Sequence, residues 1–401
     1  MGPSFGLRRP PDLRPDEPLP DDDPELGRRI REEIAADGPM SFARFMELVL
    51  YEPEHGYYAG KAGRAGRSGD FLTSPEAHPI FGWAIARQLN EIWRRLGQPE
   101  RFVLREHGGG SGALAEAILD GLRREGLGLA GAIRYEAIET SEARTTEIKA
   151  RLERAGLGDA VRPATTDPIV GVVLANELLD ALPVHRVEGG ADGLLREIYV
   201  GSGAGGELVD VAAEPSTPKL AERLATEGIA LAPGQRAEIC LRLDAWIGAT
   251  AAGLAKGALL LVDYGYPARD LYDPGSRRAG TLRAYVRHRV HADPYRHLGR
   301  QDLTAHVDWS AVETAAVRSS LDPVGSTTQA AFLAALDVGE LLGRMEAAPG
   351  ATLEASLEAR SALRRMLDPA VSGAFRVLAF GRGLGLEPPL RGFADRARRS
   401  S

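Results

Sequence analysis

Three side chains at the end of one apolar run pose the chemical question in this sequence. The run LANELLDALPV, residues 174–184, delivers Asn176, Glu177 and Asp180, one carboxamide and two carboxyl groups. Acids three residues apart at the start of a helix lie on one side of it, and the helix N-terminus favours their ionised state. Such a fork can pair with a planar cation through two parallel hydrogen bonds and accept a proton from it. A helix dipole by itself accounts for one of these acids and leaves the set unexplained.

A second constellation lies upstream. In REHGGGSGAL, Glu106 ends a strand candidate and is followed by Gly108, Gly110 and Gly112. Glycines let the backbone turn tightly and approach a ligand, and the helix that follows offers unpaired N–H groups. With Ala113 the turn also fits G-x-G-x-x-A, so taken alone it leaves a dinucleotide site open. Its neighbours favour a different nucleotide. Glu139 closes the next strand, where a carboxylate accepts from ribose hydroxyls. Glu106 places an anion that would suit the positive amino group of a methionine moiety but not a pyrophosphate.

The elements that must position these groups are legible as a rhythm. From Arg101 the chain alternates strand and helix: RFVLREH, the glycine turn, ALAEAILDGLRREG, YEAIET, EARTTEIKARLERAG and the unalternating β-branched run IVGVVLANE. Alternating units with doubly covered strands predict a mostly parallel, doubly wound α/β sheet. VHRVEGG, LLREIYVG and ELVDVAAEP then predict an inserted antiparallel meander. A helix around residues 244–255, the strand GALLLVDYG and a last strand FRVLAFGRG resume the α/β order. The expected organisation is a Pro- and Asp-rich tail over 1–23 and a helical segment with a glycine-rich loop over 24–98. The core with its meander follows over 99–265, a cap over 266–360, the last strand over 361–390 and a second tail. Within the helical segment, TSPE reads as a capping box opening an amphipathic helix from Pro75 to Leu96.

Composition narrows the classes. A net charge of −7 with both signs interspersed argues against nucleic-acid partners. One cysteine, Cys240, excludes an intrachain disulfide framework and suits a reducing compartment. The opening residues have no apolar stretch of the kind a signal peptide needs, and GALLLVDYG is too short for a membrane span. A cytoplasmic location without membrane insertion is expected. The histidines 288, 291, 297 and 306 match no zinc spacing, so no metal is expected.

YEPEHGYYAG, GDFLTSPEAHPIFG, EHGGGSGAL, ANELLDALPV, LLLVDYG, GTLRAYVRH and DLTAHVD stand in the order and spacing of the MidA-like family of S-adenosylmethionine-dependent methyltransferases. The sequence resembles that family over residues 26–385. The resemblance implies a class I methyltransferase (Rossmann-like) fold, S-adenosyl-L-methionine as donor, and a protein arginine, such as one on a respiratory complex I subunit, as acceptor. It puts Gly69, Asp70, Thr73 and Ser74 in a loop over the donor, and Glu106, Gly108, Gly110 and Glu139 around its amino-acid and ribose parts. Asn176, Glu177 and Asp180 then face the transferred methyl, with Asp263, Tyr264, His288 and His306 as acceptor-side candidates. The chain departs from the family pattern at His107, Arg144 and Ile148. A methyltransferase for a small molecule or peptide natural product, and a non-catalytic assembly factor, are the competing readings.

Overall fold

The computed structural model describes residues 19–59, 74–287 and 289–394. Two helices open it, α1 (Pro24–Asp37), capped by the Asp23 carboxylate on the Leu26 amide at 3.1 Å, and α2 (Phe42–Tyr51). The amphipathic run expected from Pro75 to Leu96 is broken. A short turn of helix, Ser74–Ala77, stops before Pro79, and α3 (Ile80–Arg95) starts behind it, as a proline that cannot donate a backbone hydrogen bond requires. The Glu76 carboxylate takes the Ser111 hydroxyl of the glycine turn. Thr73 lies outside the described residues.

The expected α/β alternation follows: β1 (Phe102–His107), α4 (Ala113–Arg124), β2 (Ile133–Ile138), α5 (Glu142–Arg154) and β3 (Ile169–Asn176). The meander comes next as β4 (His185–Gly189), β5 (Leu195–Ser202), β6 (Leu208–Ala213) and β7 (Arg236–Ile239), with β5 paired antiparallel to both β4 and β6. Then come α6 (Arg242–Ala252), β8 (Leu254–Asp263), α7 (Trp309–Arg318), β9 (Asp322–Thr328) and β10 (Arg376–Arg382). The central sheet has the order β9-β10-β8-β3-β1-β2. β2, β1, β3 and β8 run parallel, and β10 is antiparallel to both of its neighbours. Residues 266–360 are therefore not wholly a cap, because α7 and the edge strand β9 belong to the sheet layer.

Strand β3 shows why its sequence does not alternate in polarity. Val172 and Leu174 enter one apolar cluster with α3 and α4, while Val173 and Ala175 enter another with α6 and α7. Side chains of period two meet helices on both faces, so every position is apolar. A third cluster joins α1 and α2 to the meander and to a small three-stranded sheet built on Arg283–Val286 and Asp302–Thr304. That packing brings the N-terminal segment to the carboxyl end of the central sheet. No helix among the described residues is long and apolar enough to cross a membrane.

Candidate active site

Parallel register brings the acid-bearing strand ends together. Glu106 lies opposite Ala137 and Leu174, His107 opposite Ile138 and Ala175, and Asn176 opposite Val262. Glu106, Glu139, Glu177 and Asp263 thus gather at one edge, where open α/β sheets bind ligands.

On one side of that edge, Gly108, Gly110 and Gly112 adopt φ of 70°, 57° and 79°. Three left-handed residues in five make glycine the fitting residue type. A Cβ on Gly108 would stand 2.8 Å from Leu178 Cδ1, whereas one on Gly110 would meet nothing within 4 Å. The Gly110 amide donates to Glu139 Oε1 at 2.7 Å. Glu106 is 2% exposed and accepts the Tyr135 hydroxyl at 2.6 Å. Arg105, its neighbour along the strand, donates instead to Glu136 at 2.7 Å. Burial pushes Glu106 up to about 7 against the Tyr135 hydrogen bond, with the Glu139 charge adding to the rise. Burial raises Glu139 too, against the Gly110 amide and the Arg144 charge. A pair of acids held above its ordinary range is an electrostatic deficit that a ligand cation fills.

The other side departs from the helix-start expectation. Glu177 precedes a 3₁₀ turn of only three residues, Leu179–Ala181, and has φ of +50°. The amides of Leu178, Leu179 and Asp180 donate to Asp263 Oδ2 at 3.1, 2.9 and 3.3 Å, and the Tyr264 amide to Asp263 Oδ1 at 2.8 Å. Asp263, expected as an acceptor contact, is 1% exposed and spends both oxygens bracing this turn. The amides of the turn are thus shared with Asp263, and those of Asp180 and Ala181 lower Asp180 only in part against its burial. Burial pushes Glu177 up to about 8, with the Asp180 charge adding to it. Burial likewise lifts Asp180 to about 6 against its hydrogen bond from Tyr264.

Tyr264 does reach the acids, its hydroxyl donating to Asp180 Oδ2. The Asn176 amide donates to Glu177 Oε1 at 3.2 Å. Asn176 Oδ1 and Asp180 Oδ1 are buried without a hydrogen-bond partner among the described residues. His306 packs edge-on against Tyr264, ring centroids 5.4 Å apart, and burial lowers it to about 4, with Arg277 and Arg283 adding to the shift. It stands behind Tyr264, neutral at ordinary pH. The Ser74 hydroxyl, expected at the donor, lies within hydrogen-bond reach of Gln329 and Ser372, at 3.4 and 3.3 Å. Gly69, Asp70, Thr73 and His288 lie outside the described residues.

Reading the strand ends missed Tyr51, Tyr58, Tyr285 and Asp302. The Tyr51 hydroxyl donates to Ala181 O at 2.9 Å and the Tyr58 hydroxyl to Asp302 Oδ1 at 2.8 Å. The only signal for them in the sequence was their place in the motifs YEPEHGYYAG, GTLRAYVRH and DLTAHVD.

A mostly parallel sheet with a glycine turn after one strand, a carboxylate closing the next and a raised acid pair beside them fits an α/β enzyme that binds a nucleoside-bearing cofactor at its carboxyl edge. A family model of S-adenosyl-L-methionine-dependent methyltransferases matches residues 84–327. The chain belongs to that family, the MidA-like methyltransferases. A protein of Drosophila melanogaster named protein arginine methyltransferase NDUFAF7 homolog, mitochondrial, is 30% identical over 390 residues, 90% of this chain and 85% of that one. The human protein arginine methyltransferase NDUFAF7, mitochondrial, is 28% identical over 76% of this chain and 72% of its own. A crystal structure of a superfamily member from Burkholderia thailandensis bound to S-adenosyl-homocysteine superposes with a TM-score of 0.84 at 33% identity, covering 95% of this chain and all of that one.

S-adenosyl-L-methionine is the cofactor. The raised acids Glu106 and Glu139 and the open space at Gly110 fit its cationic amino-acid part and its hydroxyl-bearing ribose.

Proposed function

We propose that this enzyme methylates a guanidinium nitrogen of a protein arginine. The observation that carries the reading is the raised acid pair, Glu177 and Asp180, with no cation paired to it among the described residues, at the carboxyl end of β3 beside the donor half of the site. Bound S-adenosylmethionine supplies an electrophilic methyl group on a sulfonium. Glu106, Gly110 and Glu139 would hold it, leaving the protein mainly a task of alignment.

The acceptor poses the harder problem. A guanidinium stays protonated and its lone pairs are delocalised. Glu177 and Asp180 answer it by pairing with the cation, orienting one nitrogen and drawing charge away from it. As the acceptor arrives, its charge pulls both acids back toward ionisation. The methylated nitrogen sheds one proton, and Glu177, ionised by the bound cation, is the group placed to take it. Asn176 steadies Glu177, Tyr264 holds Asp180, and Asp263 braces the turn that carries both. The names of the similar proteins, which are protein arginine methyltransferases, support the same reading.

Purified protein with labelled donor should methylate arginine-containing peptides but not their citrulline twins. A subunit of bacterial complex I is the first intact protein to try. Donor binding without transfer to any arginine substrate, alongside transfer to a small molecule, would replace this reading with the small-molecule one.

A further inference from the structure

A single short helix, Ser74–Ala77, touches both halves of the site. Its Ser74, Pro75 and Ala77 are buried. At one end the Ser74 amide donates to Glu177, the acid of the acceptor half. Further along, the Glu76 carboxylate takes the hydroxyl of Ser111, which stands between the left-handed Gly110 and Gly112 of the donor turn. The Ser111 oxygen also accepts from Arg151 and from the Ala113 amide, both at 3.3 Å. A hydroxyl has two acceptor sites and one proton, so both sites are taken and the proton goes to Glu76.

The short helix is held from two directions. The buried Gln329 amide donates to the Ser74 hydroxyl at 3.2 Å and to the Met366 carbonyl at 3.1 Å. After Pro79 the chain enters α3, which lies almost backbone to backbone on α4, the helix that the glycine turn opens. A Cβ on Gly82 would stand 2.4 Å from that of Ala117, and one on Gly121 would stand 2.8 Å from Trp83 Cα. Interiors packed this closely transmit a displacement instead of absorbing it. Glu76 also carries charge toward the acceptor half. Glu177 faces Asp180 from its own turn, Asp263 from β8 and Glu76 from the short helix. Burial first and Asp180 next hold Glu177 up, the Asn176 and Ser74 hydrogen bonds oppose them, and the Glu76 charge adds to the rise.

We propose that Glu76 is a positioning residue that couples donor binding to acceptor binding: its bond to Ser111 ties the glycine turn to the short helix whose Ser74 amide holds Glu177. The inference rests on the arginine reading above, in which Glu177 meets the acceptor. A donor that settles the glycine turn settles, through Ser111 and Glu76, the amide on which Glu177 rests. The acceptor acts on the donor through the same bonds, because coupling between two binding sites is reciprocal.

The test is calorimetry on the full-length protein, titrated with an arginine peptide with and without saturating S-adenosyl-homocysteine. The ratio of the two dissociation constants is the coupling. In wild type the donor product should tighten the peptide by about fivefold or more, the lower end of couplings between sites. Glu76→Ala removes the acceptor of the Ser111 hydroxyl and should abolish the coupling. Glu76→Gln keeps an acceptor oxygen and should retain most of it. With the charge gone, Glu76→Gln should also move the pH midpoint of the apparent KM for arginine downward, a change that a merely structural side chain would not produce. No coupling in wild type, undiminished coupling in Glu76→Ala, or equal losses in the two variants each overturns the proposal, while arginine binding and transfer in wild type spare the arginine reading. If Glu76→Ala no longer binds S-adenosyl-homocysteine, Ser111→Ala, which removes the same bond from its other end, decides by the same ratio. If neither binds it, the Glu76→Gln midpoint decides, and an unshifted midpoint overturns the proposal. Wild type that binds S-adenosyl-homocysteine but no arginine peptide overturns both readings.

Discussion

The donor and acceptor halves of the site treat their carboxyl groups differently. On the donor side each acid has a partner: Glu106 takes the Tyr135 hydroxyl and Glu139 the Gly110 amide. On the acceptor side Asp180 takes the Tyr264 hydroxyl and Glu177 the Asn176 amide, yet Asp180 Oδ1 and Asn176 Oδ1 are buried without a hydrogen-bond partner among the described residues. The acceptor half stores an unmet demand for donors and positive charge, which a cationic acceptor meets. Asp263 shapes that half by taking the amides of residues 178 to 180 on its Oδ2.

The largest test of this contrast is Glu177→Gln, which should lower methyl transfer by about 10²–10⁴-fold, the range of a lost proton acceptor, with S-adenosyl-homocysteine affinity unchanged. An equal loss of donor affinity would erase the division between the halves. The mirror lesion, Glu106→Gln, should weaken donor binding by about 10–100-fold, as expected for a charged hydrogen bond of about 1.5–3 kcal/mol, and leave arginine-peptide affinity intact in protein that has donor bound.

A smaller effect comes from pH. A cation binds the ionised acid, and below about 8 that ionisation must be purchased from a protonated Glu177. Apparent KM for an arginine peptide should therefore fall by up to about fiftyfold as pH rises from 6 to 8, and Glu177→Gln should flatten the profile. The sign reverses for stability without ligand. A folded-state pKa raised above the unfolded value means the native protein holds the proton more tightly, so stability is lost as pH climbs from the ordinary carboxyl range toward 8. Thermal unfolding at pH 5, 6.5 and 8 reads that slope directly.

The smallest effect should be a gain. Glu177 holds a left-handed φ of +50°, which costs a side chain with a Cβ about 1 kcal/mol or more relative to glycine. Glu177→Gly should raise unfolding free energy by about 1 kcal/mol while abolishing transfer. Unchanged or lower stability would show that the conformation is not strained.

Legibility followed the same division. Glu106, the glycines and Glu139 lie on two consecutive strand ends of a parallel sheet, so strand rhythm and turn chemistry brought them together without coordinates. The run at 174–184 was legible in its residue types but not in its electrostatics. The expected helix start became three residues of 3₁₀, and the partner deciding its amides, Asp263, lies more than eighty positions further on. Tyr58 and Asp302 are 244 residues apart along the chain, so no local period could pair them.

What this sequence determined by itself is the alternation of apolar strands and helices, the glycine turn where left-handed backbone is required, and the acids at strand ends, because all of these are set by neighbours along the chain. Tertiary structure alone decided which of those acids would be satisfied and which left wanting. Burial, a distant carboxylate capturing three amides, and a tyrosine hydroxyl on Asp180 from a distant strand depend on packing, and packing sets the charge each acid carries.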